Sequence, residues 1–329
     1  MSYLFPSSTI TFEAALRDIA SASPKGRAMA VHALGDVTDP VEKRRAVDAL
    51  VRALDDDRPE VRGEACSSLG SLGEPGPLPQ LVKRLDDGVA QVRQNAAIAL
   101  GSLAFPEGFE PLAEALRTGP ADLRFQAATS LAEIDPDRAF DHVVAALDDR
   151  DPQVVSAAAL SVGVIATELP DRRDRALEVL AARLDHADSS ARFDVAYALA
   201  DLGDARGREI LGTVLADPER SWDAVTALGK LRAQPELERA IDNKKTPHEA
   251  AALAAGRILA IAPEHAKARQ VITEALTARK VHVRGIAIEQ LTEVGGAWAK
   301  PALEKLARSS KGEEFLEAIA GALRLMETR

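Results

Sequence analysis

The sequence predicts an all-α fold, a right-handed α-solenoid of about ten stacked helical hairpins, and three observations carry that expectation. First, a phrase recurs with a period close to 31 residues, as PEVRGEACSSLGSLG over 59–73, AQVRQNAAIALGSL over 90–103 and ADLRFQAATSL over 121–131. A unit of that length cannot enclose a core by itself, so its apolar faces must be buried by stacking on neighbours. Second, the apolar content is 46% but only 4% is aromatic, because Ala and Leu supply most of it. Both favour helix, and small residues let packed helices approach closely. Third, turn signals built on Asp, Pro and Gly return at the same interval. The length of 329 residues would otherwise suggest two or three separate cores, but a continuous repeat argues for one array over residues 1–329.

The elements follow in order. Residues 1–24 read as an N-terminal cap, 25–308 as the repeats and 309–329 as a C-terminal capping helix. With the leucine before the first glycine as anchor, the series runs Leu34, Leu69, Leu100, Leu131, Val162, Leu199, Leu228, Ala255, Leu291 and Leu323. Each anchor helix should start after a turn such as 55–59, 149–152 or 217–218, with aspartate at or near the N-cap and proline in the first turn. Val61, Ala65, Leu69 and Leu72 fall on one helical stripe, and a glycine such as Gly73 or Gly203 provides a left-handed stop. A second helix then returns, as over 79–85, 109–116 and 176–184. The longer step before Leu199 holds a charged, proline-containing loop at 168–174. Phe315, Leu316 and Met326 are core candidates in the last helix, and Trp298 marks a turn that staples two units.

The Leu, Asp, Val-Arg, Ala-Ala-x-Ala-Leu-Gly-x-Leu-Gly pattern, over about residues 25 to 326, resembles the HEAT family. The likeness is to its short-repeat branch, which includes phycobiliprotein lyases and bacterial adaptors. The resemblance implies that the arginine column Arg27, Arg62, Arg93, Arg124, Arg192 and Arg284 pairs with turn aspartates of adjacent units, and that Val155 and Ser221 break it. It also implies that the anchor helices line the inner, concave side.

Positions equivalent to Gly63 and Ser67 point away from the buried stripe. Along those columns stand Phe125, Phe193, Tyr197 and Trp222, an aromatic cluster that packing does not require and that suits a partner-binding groove. Gln94, Gln126, Asp194 and Asp223 give it a polar rim. A register shift at the irregular joins would instead turn Phe193 or Trp222 inward as core.

A formal charge of −10 disfavours nucleic-acid binding. The acidity belongs to residues 1–165, with 16 Lys+Arg against 25 Asp+Glu. The single cysteine, Cys66, occupies a slot that is alanine in sister repeats and can form no disulfide or Cys-based metal site within the chain. Residues 1–10 show no signal-peptide pattern and every apolar run is broken by charge, so the expectation is a cytoplasmic protein without membrane insertion. His248 followed by Glu249 is the only pair of the kind that binds iron in HEAT-like hydroxylases, too few ligands for a metal. No nucleophile, phosphate-loop or dinucleotide signature occurs. No catalytic residue and no cofactor is assigned. The functional expectation is a non-enzymatic scaffold or adaptor that holds a segment of a protein partner in its groove. The alternative is a lyase-like or other HEAT-repeat enzyme acting on a bound chromophore or protein substrate.

Overall fold

The computed structural model describes residues 10–328, so the first part of the expected N-terminal cap lies outside the described residues. The chain forms two compact units, Met1–Ala176 and Leu177–Arg329. In the first stand α1 (Phe12–Asp18), α2 (Pro24–Gly35), α3 (Pro40–Ala53), α4 (Pro59–Leu72), α5 (Leu78–Arg84), α6 (Ala90–Leu103), α7 (Phe109–Thr118), α8 (Ala121–Ile134), α9 (Pro136–Ala146) and α10 (Pro152–Glu168). The division falls within α11 (Arg173–Ala181). The second unit holds α12 (Ser189–Asp201), α13 (Arg208–Thr213), α14 (Ser221–Lys230), α15 (Gln234–Asp242), α16 (His248–Ile261), α17 (Ala266–Ala275), α18 (Val281–Val294), α19 (Lys300–Ala307) and α20 (Leu316–Thr328).

Each unit is an α-solenoid of helical hairpins. Anchor helices α2, α4, α6, α8 and α10 pack side by side in the first unit, as do α12, α14, α16, α18 and α20 in the second, and the helices between them pack against the anchor helix that follows, as α3 does on α4, α5 on α6, α7 on α8, α9 on α10 and α15 on α16. Close approach is possible because the facing positions are small. A Cβ added at Gly101 would come within 2.8 Å of Ser130 Cβ, and one at Gly207 within 2.7 Å of the Ala196 backbone. Val61, Ala65, Leu69 and Leu72 are all buried. This single stripe, repeated, is the core, and burial of its leucines supplies the main driving force at about 1.5–3 kcal/mol for each large side chain.

The turn aspartates do something other than cap the helix that follows. α4 and α6 have no side-chain cap at all. Instead Asp56 and Asp87 accept the backbone N–H groups of Arg58 and Val89, two residues on, at 2.9 and 3.0 Å. This side-chain turn tightens the chain and leaves each carboxylate aimed at the arginine of the preceding anchor helix. Helices α3, α9, α10 and α12 do take an aspartate N-cap, from Asp39, Asp135, Asp151 and Asp188. Gly73 and Gly203 end their segments at φ of 75° and 76°, and Ala104 adopts the same left-handed turn at 52°.

The resulting ladder is confined to the first unit. Arg27 grips Asp56 at 2.7 and 2.8 Å, Arg62 grips Asp87 at 2.8 Å through both nitrogens, and Arg124 grips Asp149 at 2.7 Å through both. Arg93 meets a turn made of Gly119 and Pro120 and takes Asp122, in the first turn of α8, at 2.8 Å. Every one of these arginines also donates to a carbonyl of its own turn, such as Arg62 to Asp56 at 3.0 Å. In the second unit Arg192 and Arg284 have no such aspartate among the described residues and donate to turn carbonyls, of His186 and Ala278 at 2.6 and 2.8 Å; the Arg284 guanidinium also lies 5.8 Å from the Phe315 ring, and its buried Nε has no hydrogen-bond partner. Val155 and Ser221, where the column breaks, are buried.

At the C-terminal end Phe315 and Met326 pack against the second unit's core, as expected. Leu316 does not: it is 50% exposed, because it stands in the first turn of α20, where the helix has no preceding turn to cover it. Trp298 is half-buried against the same core with the Arg269 guanidinium 5.2 Å from its ring. It lies so close to Gly296 that a Cβ there would be 2.4 Å from the indole nitrogen, and Gly296 holds φ at 114°, where other residues are strained.

Candidate protein-binding face

The outward columns of the anchor helices are set by helical spacing: when Val92, Ala96 and Leu100 are inside, Gln94 and Ile98 are outside. In the first unit this leaves a patch of apolar side chains in the open. Ile98 on α6 is 43% exposed, Phe125 on α8 38%, and Leu160 and Val164 on α10 39% and 54%. Between them Thr129 turns its hydroxyl inward, donating to the Gln126 carbonyl at 2.8 Å and accepting from the Gln126 amide at 3.0 Å. Gln94 and Gln126 are half-buried at the margin. Ile98, Leu160 and Val164 were not among the expected site residues, although Ile98 and Leu160 lie in the same column as Thr129. Aliphatic side chains in an Ala-rich and Leu-rich chain do not stand out in the sequence as the few aromatic ones do.

In the second unit Phe193 corrects the sequence expectation. It is only 5% exposed and belongs to the core. The reason is local: Arg220, at the N-terminus of α14, lays its guanidinium 5.3 Å from the Phe193 ring centroid and hydrogen-bonds Ser190. Tyr197 covers another side, with ring centroids 6.3 Å apart. Tyr197 is itself half-buried, and burial followed by the nearby Asp201 pushes its phenol above the usual value. Trp222 is 39% exposed at the start of α14, with Asp223 exposed beside it and Asp194 half-buried on α12. Phe125, Gln94 and Gln126 therefore belong to one surface of the first unit, and Asp194, Tyr197, Trp222 and Asp223 to the second unit.

The electrostatics of the first unit's face are one-sided. Arg62, Arg93 and Arg124 are engaged in the ladder, while Glu64 is bonded to His32 at 2.7 Å. Glu133 overlies Gly101, and burial pushes its carboxyl above the usual range. Among the described residues no group of three or more His, Cys, Asp or Glu is placed to hold a metal ion; Glu249 has only His282 nearby, at 3.9 Å. No helix among the described residues is long and apolar enough to cross a membrane.

Stacked helical hairpins with a repeated Arg–Asp rung and an outward apolar column define an α-solenoid of the repeat-protein class. The family model for HEAT repeats matches residues 12–101 and 78–163, so this part of the chain consists of HEAT repeats. No curated protein sequence matches the chain. Among solved structures, yeast importin-β superposes with a TM-score of 0.69 at 11% identity, covering 97% of this chain and 52% of that one. A Kap95:Nup1 complex gives 0.68 at 13% identity with the same coverages, 97% and 52%. The chain thus spans about half the length of these solenoids, and at such identities the likeness is one of fold. The complex of CpcE and CpcF of phycocyanin lyase from Nostoc sp. is 24% identical over 83% of this chain and 97% of that one, but its TM-score of 0.38 is too low to bear on activity.

Proposed function

We propose that the chain is a non-enzymatic scaffold that holds a segment of another protein against its anchor helices. One observation carries this reading: the outward columns of α6, α8 and α10 leave Ile98, Phe125, Leu160 and Val164 in solvent, while nearly all other large apolar side chains of those helices are buried. Exposed apolar clusters with polar margins mark interaction surfaces. In the second unit Trp222, with Tyr197, Asp194 and Asp223, is read as a further contact point, since tryptophan and tyrosine bury much area at low entropic cost. The repeats over 25–308, between end segments 1–24 and 309–329, are read as one array. The reduced, buried Cys66 suits a cytoplasmic protein.

A photo-crosslinking amino acid placed at 125 or 160 should capture a protein partner in the native cell, while one at Lys83, exposed on α5, should not. Phe125→Ala combined with Leu160→Ala should weaken capture about tenfold or more, the effect expected for anchors of an interface. Equal crosslinking from position 83 would defeat this assignment of the face.

A further inference from the structure

We infer that the face formed by α6, α8 and α10 receives a cationic amphipathic α-helix laid across the three anchor helices. This rests on the scaffold reading and adds the chemistry and conformation of the partner.

Conformation follows from spacing. Ile98, Thr129 and Leu160 sit at equivalent heights on successive anchor helices, 31 residues apart. Packed helices stand about 8–10 Å apart. A ligand helix rising about 1.5 Å per residue covers that step in about six or seven residues, close to two full turns. The same side of a helix with apolar residues in heptads therefore meets each anchor helix in succession. An extended segment advances about 3.3 Å per residue and covers the step in about three, an odd number that turns successive side chains to opposite sides. Such a segment could engage only alternate helices.

Charge selects the flank. On α4, α6, α8 and α10 the basic residues are Arg62, Arg93 and Arg124, and all three are held by Asp87, Asp122 and Asp149. Glu60, Glu133 and Glu168 on the same helices have no basic partner among the described residues. Glu133 continues the row Phe125, Thr129 at the next four-residue step, and Glu168 continues Leu160, Val164 in the same way. Both lie in the last turn of their helices, where the backbone dipole adds negative potential. The apolar patch is thus edged on one side by two uncompensated carboxylates, and a partner helix with Lys or Arg along the matching flank satisfies both.

The test uses synthetic helices of about three heptads, with Leu facing one side and either Lys or Glu along one flank, titrated into the full chain by fluorescence anisotropy. The Lys peptide should bind roughly tenfold or more tightly than the Glu peptide, with the difference shrinking at high salt. Glu133→Gln with Glu168→Gln should erase the difference. Phe125→Ala with Leu160→Ala should remove binding of the Lys peptide altogether. All four side chains are exposed, and circular dichroism checks that the variants remain folded. The inference is overturned if the Lys peptide does not bind, if the Glu peptide binds as well, or if a proline-interrupted peptide of the same composition binds as well. It is also overturned if binding ignores the Phe125 and Leu160 changes. Crosslinking of a native partner from positions 125 and 160 is independent of these outcomes, so the scaffold reading can stand when the cationic helix fails.

Discussion

At the scale of single residues, the ladder shows what an arginine contributes when both ends of its fork are engaged. Arg62 ties the carbonyl of Asp56 in its own turn to the carboxylate of Asp87 in the next, and the Arg62 side chain is only 15% exposed against 5% for Asp87. Removing Arg62 leaves the buried Asp87 carboxylate with only the longer Arg84 contact, at 3.7 Å, so Arg62→Ala should cost about 3 kcal/mol in denaturant unfolding, the low end for breaking a buried pair. The pH dependence has a definite sign. The side-chain hydrogen bonds from Arg62 hold Asp87 below its ordinary carboxylate value; Asp56 and Asp149, which burial alone would raise, are likewise held low by Arg27 and Arg124. Depressed folded-state values give stability that is complete above the unfolded value near 3.8 and is lost as pH falls through the folded values. Acid titration of stability should therefore be shallower for Asp87→Asn than for the parent chain. The arginine column was legible in the sequence as a column, because identical residues recur at one interval. What each arginine touches was not: Asp122 replaces a missing turn aspartate for Arg93, while among the described residues no carboxylate does so for Arg192 or for Arg284, which lies over the Phe315 ring instead. Phe193 misled for the same reason, since its exposure depends on Arg220 in the next hairpin.

At the scale of elements, a hairpin reads well from sequence because its signals are local: small residues at helix contacts, a glycine stop, a proline start. Their failures are also local. The aspartates before α4 and α6 were expected to cap helices; they shape turns and bind arginines because the chain needs the carboxylate on its neighbour more than on its own N–H groups. The packed pair α3/α4 carries its own reporter. Cys66 lies inside the stripe of α4, and desolvation by burial pushes its thiol up to about 12. A buried thiol with so little thiolate cannot react at neutral pH until the hairpin opens. Alkylation of the native chain should therefore proceed at the opening rate of α4 from its neighbours α2, α3 and α6, and Arg62→Ala should accelerate it strongly. Labelling as fast as that of a free thiol would show that α4 is not packed as described.

At the scale of the whole molecule, the two units have comparable cores but unequal cross-links. Four consecutive rungs join hairpins in the first, and that column supplies none in the second. In a repeat array, stability is close to a sum of hairpin terms and neighbour terms, so loss of one neighbour term weakens a whole stretch. Hydrogen exchange should show lower protection in α12 and α18 than in α4, α6 and α8, and the order should level when Arg62 and Arg93 are both removed. The same rungs bear on how such a chain can change its length. Each rung takes its cation from one hairpin and its anion from the next, and the hairpins recur in nearly equal frames. Excising residues 78–108, which hold α5 and α6, leaves α4 followed by α7 and places Arg62 where Arg93 stood, facing Asp122. The joint heals because the pairing is generic. A fold stitched this way is indifferent to how many stitches it has, so insertion and loss of whole hairpins are the changes it absorbs most readily, and the reach of its binding face can be altered without redesigning any one interface.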